Sequence, residues 1–220
     1  MSNFDSDGIP EQEGDERGEL VWNEFDWERY LREQDEAVHR YLRFYESCRN
    51  QDDRIDAVAE KMGWGQEEDG ESDVQPADDS EFDDDDVYTL HENPIYVATK
   101  AIGLGVRRSW ESLATDNGKA PQPLAVAFLA SIHRSEEQAI LAIHALDFGD
   151  YAMAVSLFKR SLSALNGSLS LLNADATLRH AAIVAWREDG QARLFVLREI
   201  WLRVIAECRD ELERPVDEEN

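Results

Sequence analysis

The sequence predicts an all-α fold: an antiparallel bundle of five to seven helices, with an acidic N-terminus and an acidic insert that stay disordered. Three observations lead there. Apolar residues recur at a helical period of about 3.6 over residues 23–62 and 94–213. Helix boundaries are marked by capping residues, Asn93-Pro94 and Gly149-Asp150 among them. The acidity is concentrated in two stretches that lack the apolar residues needed to offset the entropy of ordering. The expected organisation is an acidic tail over 1–19, an N-terminal helical segment over 20–65, an acidic insert over 66–92, a helical bundle over 93–213 and a short tail over 214–220.

The first helix begins at Asn23, a residue whose side chain caps free backbone N–H groups, and Glu24, Asp26 and Glu28 place negative charge in its first turn. Its apolar stripe runs through Trp27, Tyr30, Leu31, Val38, Tyr41, Leu42 and Tyr45. After Asn50 the pattern weakens, and Ile55, Val58, Ala59 and Met62 indicate a second, short helix that ends at Gly63-Trp64-Gly65. In the insert, the run Val87-Tyr88-Thr89-Leu90 is apolar enough to tack the chain back onto the bundle.

Asn93-Pro94 opens the next helix, with a stripe of Ile95, Ile102, Val106, Trp110 and Leu113. Gly103 and Gly105 weaken it locally but would let a neighbour approach closely. Asp116-Asn117-Gly118 closes it, and Pro121 and Pro123 open a helix to about Phe148. The helix after Asp150 has a regular seam of Tyr151, Val155, Phe158, Leu162, Leu165, Leu169 and Leu172, as in helices packed antiparallel at a shallow angle. Asp175 is expected to cap the last region. There Leu178, Ala181, Ala182 and Ala185 define one face, and Leu194, Leu197, Trp201, Ile205, Cys208 and Leu212 another. The slip falls at Glu188-Asp189-Gly190, which predicts two helices with a break, or a β-hairpin on the Asp-Gly turn.

The net charge of −26 divides unevenly. Residues 1–19 hold seven acids and one arginine, residues 66–92 hold thirteen acids and no Lys or Arg, and the remainder carries only −7. This distribution argues against direct binding to a nucleic-acid backbone, which needs clustered cations. The polar, acidic start is not a signal peptide, and the longest apolar run, Leu124 to Ala130, is too short to span a bilayer. With only Cys48 and Cys208, and no metal-ligand spacing between them, the expected setting is a reducing, cytoplasmic one without membrane insertion.

Residues 135–168 resemble a single tetratricopeptide repeat. The match lies in Gly149-Asp150-Tyr151, Ala154, Phe158, Lys159 and Leu162, at the spacing of that repeat's second helix. In the first helix, the family positions fall on Gln138, Leu141, Ala142 and Ala145, of which only the leucine and a small residue fit. Ser161 replaces a small alanine, Asn166 stands where proline usually ends the repeat, and no second copy occurs. An antiparallel hairpin joined by Gly-Asp is the plainer reading. The resemblance implies a protein-interaction module.

Two acid–histidine sets invite a chemical reading. Glu36-x-x-His39 has the spacing that di-iron bundles place in their cores, but both residues fall at about 120° to 180° from the apolar stripe and so face water. His133, Glu137 and His144 share one helical face and suit zinc, iron or manganese as ligand types. The two histidines are about 16 Å apart along the axis, so a metal would need His133 with Glu137, or Glu137 with a residue from another helix. No phosphate loop, nucleophile elbow or Cys–His pair appears, and no cofactor beyond a metal ion is implied. In the insert, Phe82, Asp83, Asp84, Asp85, Asp86 and Tyr88 combine apolar anchors with charge suited to a basic protein partner. The expected function is therefore a non-enzymatic protein-interaction or scaffold module. A metal-binding bundle and an acidic mimic of nucleic acid are the alternatives.

Overall fold

A computed structural model describes residues 22–51, 53–64 and 93–214. Among these, six α-helices follow in order: α1 (Glu24–Ser47), α2 (Arg54–Met62), α3 (Pro94–Ala114), α4 (Gln122–Asp147), α5 (Tyr151–Asn173) and α6 (Ala181–Glu213). The described residues include no strand.

Local chemistry explains most boundaries. Asn23 accepts from the N–H of Phe25 and Asp26, while Asp26 accepts from the N–H of Asn23, a reciprocal capping box. Asn93 caps α3 by accepting from the N–H of Ile95 and Tyr96, with Pro94 at the first helical position. Gly149 adopts φ +71°, which frees Asp150 N–H to reach Ala145 O at 2.9 Å and end α4. Asp150 then accepts from Met153 N–H to start α5.

Helices α3 to α6 form a closed ring in which each helix runs against its neighbours. Trp110 Nε1 donates to Ala125 O, tying the end of α3 to the start of α4. Ser135 and Ser161 each donate to the other's backbone carbonyl, at 3.1 and 2.7 Å, so α4 and α5 approach closely in mid-bundle. Asn173 at the end of α5 accepts from Gln191, three turns into α6, and Trp201 Nε1 donates to Thr99 Oγ1 back on α3. The interior is filled by Trp110, Phe128, Phe158, Ile102, Ile143, Leu165, Leu172, Ile183, Leu194 and Trp201, all buried. This is an up-down-up-down four-helix arrangement.

Helix α1 lies outside the ring against α3 and, through Glu46, α6. Leu42 packs against Gly105, and Tyr30 and Asp35 are near enough to Tyr96 and Lys100 to act on them electrostatically, so α1 and α3 run in the same direction. Covered on one side by α1 and on the others by α4 and α6, α3 buries ten of its residues.

Two expectations for the last region are corrected. The break at Glu188-Asp189-Gly190 does not exist, since α6 runs unbroken for 33 residues. Its buried stripe begins at Ile183 and continues through Gly190, Leu194, Leu197 and Trp201, while Ala181 and Ala185 are not buried. Gly190 is a packing position: a Cβ there would overlap the Trp186 ring, which meets Trp110 and Phe128 edge-on. Asp175 does not cap α6 either. It is exposed, His180 occupies the cap position, and the preceding single turn of 3-10 helix (Thr177–Arg179) is held by Thr177 Oγ1 donating to Leu171 O.

Candidate protein-interaction surface

The sequence-derived candidates land on separate parts of the molecule. His133 and Glu137 are exposed, one turn apart on α4, and His144 is half-buried near its end. Among the described residues, no group of three His, Cys, Asp or Glu side chains gathers as a metal site would require. Glu36 and His39 are both exposed, and His39 is in contact with Asp35 O and Arg108. Phe82, Asp83, Asp84, Asp85, Asp86 and Tyr88 lie outside the described residues. No described helix is long and apolar enough to cross a membrane.

The charges that are buried serve packing. Glu136 on α4 sits over Gly103 of α3, where an added Cβ would come within 2.8 Å of its Oε2. It pairs with Arg107 and, at 2.9 Å, with Lys100. Burial lowers the pKa of both cations, because desolvation penalises the charged form. A second network crosses α1, α2 and α6. Arg193, buried on α6 beside Gly105, pairs with Glu46 and Asp189, and Asp189 also takes Arg49 at 2.5 Å. Arg54 donates twice to Tyr45 O and lays its guanidinium 3.3 Å above the Tyr45 ring. Burial pushes the Tyr45 hydroxyl up to about 12, and its oxygen has no hydrogen-bond partner among the described residues.

Surface grooves offer little chemistry. A shallow one of about 470 Å³ on α4 and α5 has a floor of Ala127, Ala130, Ser131 and Gly167 with Arg134 and Arg160 at its edge. Another, of about 260 Å³ between α2 and α6, is lined by Asp53, Asp56, Glu199 and Arg203, and Arg203 is paired with both Asp56 and Glu199. Neither contains a Cys or His.

The start of α1 is different. Before Ala37 no residue of this helix is buried, yet Phe25 is 74%, Trp27 52% and Leu31 49% exposed. Trp27, Tyr30 and Leu31 do continue the apolar stripe expected for α1, but Tyr30 is only half-buried and Trp27 and Leu31 are exposed. At 100° per residue, Trp27 and Leu31 fall at about 0° and 40°, and the buried Val38, Tyr41 and Tyr45 at about 20°, 320° and 0°. The packing face continues to the start of α1, but at Trp27 it has passed the start of α3, and Leu31 beside it stays half exposed. With Tyr30 level with Tyr96 and α3 starting at Pro94, α1 overhangs α3 by roughly one turn, about 6 Å.

At this end of α1 Trp22, Trp27 and Tyr30 meet edge-on, with ring centroids 4.8, 5.5 and 5.9 Å apart. The rings touch one another, which makes a ridge and leaves no cage between them. Around the ridge, residues 24–36 carry six acids against Arg29 and Arg32, and both arginines pair within the helix, with Asp26 and Glu28. Of Trp22, Trp27, Trp64 and Trp186, the first two form this ridge. Trp64 stacks on Tyr41, and Trp186 completes the aromatic core. Phe25 was legible only as an aromatic among acids, off the apolar stripe, and nothing in its spacing singled it out.

Compared with models of known families, with curated proteins and with solved structures, the chain matches none.

Proposed function

We propose that the protein is a non-enzymatic interaction module whose N-terminal helix presents an acidic, aromatic ridge to a cationic segment of another protein. The exposure of Trp27 and Leu31 on one face of a helix start with no buried residue, with Trp22 and Tyr30 in ring contact with Trp27, carries this reading. Large aromatics supply most of the energy at protein interfaces, and soluble chains seldom leave them grouped in water. The surrounding carboxylates and the half-exposed Trp27 ring both favour Lys or Arg, by direct attraction and by cation–π contact. The tetratricopeptide-like hairpin of α4 and α5 fits the same class of function without defining a second surface.

The test is calorimetric titration of the full chain with a synthetic amphipathic Lys/Leu helix. Trp27→Ala is expected to weaken binding at least about tenfold. Raising salt from about 50 to about 300 mM should weaken it further, since exposed charges are screened. Equal affinity for the wild type and Trp27→Ala would refute the assignment of this surface.

A further inference from the structure

Helix α1 packs on α3 and reaches α6 through Glu46, so the outer side of α4 and α5 lies across the ring from it. There the groove of about 470 Å³ is floored by Ala127, Ala130, Ser131, Ser163, Ala164 and Gly167. Arg134 and Arg160 at its edge are exposed, and neither forms an ion pair among the described residues. Helix α5 carries no acid from Tyr151 to Asn173, and α4 none from Gln122 to Ser135. In a chain of 48 acids and 22 basic residues, this face is cationic. Gly167 adds a second observation. At Gly103, Gly105 and Gly190 a neighbouring side chain lies under 3.0 Å from where a Cβ would stand, whereas at Gly167 the nearest atom, Ser131 Oγ, is at 3.4 Å, an ordinary contact. A mid-helix glycine costs about 1 kcal/mol against alanine, and the packing of this chain does not require one here. Its effect is to keep the groove floor low. We infer that the groove seats the start of α1 from a second copy of the chain, with Trp27 and Leu31 on the small-residue floor and the acids of residues 24–36 against Arg134 and Arg160.

Three arguments select this occupant. Charge is complementary: the start of α1 holds six acids and only two arginines, both paired within the helix, while the groove holds unpaired arginines and no acid. Shape is complementary too, since a protruding aromatic ridge meets a floor without large side chains, where a helix can approach closely. Position excludes the chain's own α1, which is held on the opposite side of the ring by α3. The contact is therefore head-to-tail, joining two different faces of two copies. Each copy carries −26, but at about 150 mM salt charges more than about 8 Å apart are largely screened and touching pairs are not. The inference rests on the reading of the ridge as a site for a cationic segment, and names that segment.

Sedimentation equilibrium of the full chain at that salt concentration tests the inference. The wild type should associate as its concentration rises. Arg134→Glu/Arg160→Glu and, separately, Trp27→Ala should each weaken association at least about tenfold, while Arg134→Lys/Arg160→Lys should keep it. Each of the first two variants retains the face that the other lacks, so mixing them should restore a complex of one copy of each and nothing larger. A wild type that stays monomeric up to about 1 mM overturns the proposal, as does association unchanged by the arginine reversal. So does a mixture that fails to associate although both variants keep the wild-type circular dichroism. Titration with the Lys/Leu helix separates the two readings. If Trp27→Ala weakens binding of that peptide but the wild type does not self-associate, only the second copy is refuted. If Trp27→Ala binds the peptide as the wild type does, the ridge itself is refuted and this inference falls with it.

Discussion

Tyr45 lies where α1, α2 and α6 meet, its ring covered by Arg54 and its hydroxyl buried without a hydrogen-bond partner among the described residues. Two consequences follow at this residue. Removing the hydroxyl relieves a buried polar atom that gains nothing, so Tyr45→Phe should be neutral or stabilising by up to about 1 kcal/mol in urea denaturation. The second concerns pH. The folded phenol titrates near 12 instead of the ordinary 10, so the unfolded chain loses its proton first as pH rises. Stability is therefore full below about pH 10 and falls between about 10 and 12, and Tyr45→Phe should flatten that fall. Tyr41, raised still further by burial and by Tyr45, acts in the same direction and keeps part of the slope. Arg193 is the complementary case. Arg193→Met should cost about 3 kcal/mol, because Glu46 and Asp189 lose a buried cation. Glu46→Gln should cost less, since its side chain is 41% exposed. None of these buried charges was legible in the sequence. A helical Arg or Glu defaults to the surface, and burial of Glu136 and Arg193 depends on the two glycines of α3 beneath them. The glycines were read as sites of close approach, but not what approaches.

At the scale of the element, the termini of α1, α3 and α5 could be read because capping is local: Asn23, Asn93 and Asp150 bind backbone groups within three residues. The course of α6 could not. Gly190 looks like a helix breaker from its neighbours in sequence, and its reason for being glycine, the Trp186 ring, becomes visible only when that ring is fixed by Trp110 and Phe128 from other helices. This makes a prediction of unusual sign. Alanine normally stabilises a mid-helix glycine position by up to about 1 kcal/mol. Gly190→Ala should instead destabilise by about 1–3 kcal/mol, because the Trp186 ring must move out of a packed core. Thermal melting would show the difference, and a melting temperature above the wild type would refute it. Asp175 was misread for a related reason, since the chain inserts a 3-10 turn between α5 and α6 that no single residue announces.

For the whole molecule, the ring of α3 to α6 and the outer position of α1 were only partly foreseeable. Sequence placed the bundle at 93–213, but the parallel packing of α1 on α3 and the overhang it creates depend on three-dimensional register. The charge of −26 is a property at this scale. Self-repulsion should make the fold more stable as salt screens it, so the melting temperature is expected to rise between about 10 and about 300 mM NaCl. The paired Glu136 and Arg193 are shielded from that screening by burial. A falling melting temperature would show that exposed ion pairs outweigh the repulsion.

The outer position of α1 and α2 also sets an order of assembly. Each helix of the ring finds a partner adjacent in sequence, whereas Glu46 and Asp56 reach Arg193 and Arg203 across 147 residues. Contacts of such separation form late, after the loop between them has been shortened by other structure. The α4–α5 hairpin is therefore expected to form first in refolding, and the ties of α1 and α2 to α6 last, so that Glu46→Gln or Asp56→Asn should speed unfolding and leave the folding rate nearly unchanged. During synthesis α1 can meet α3 as soon as α3 emerges, but its ties through Glu46 and Asp56 wait for α6.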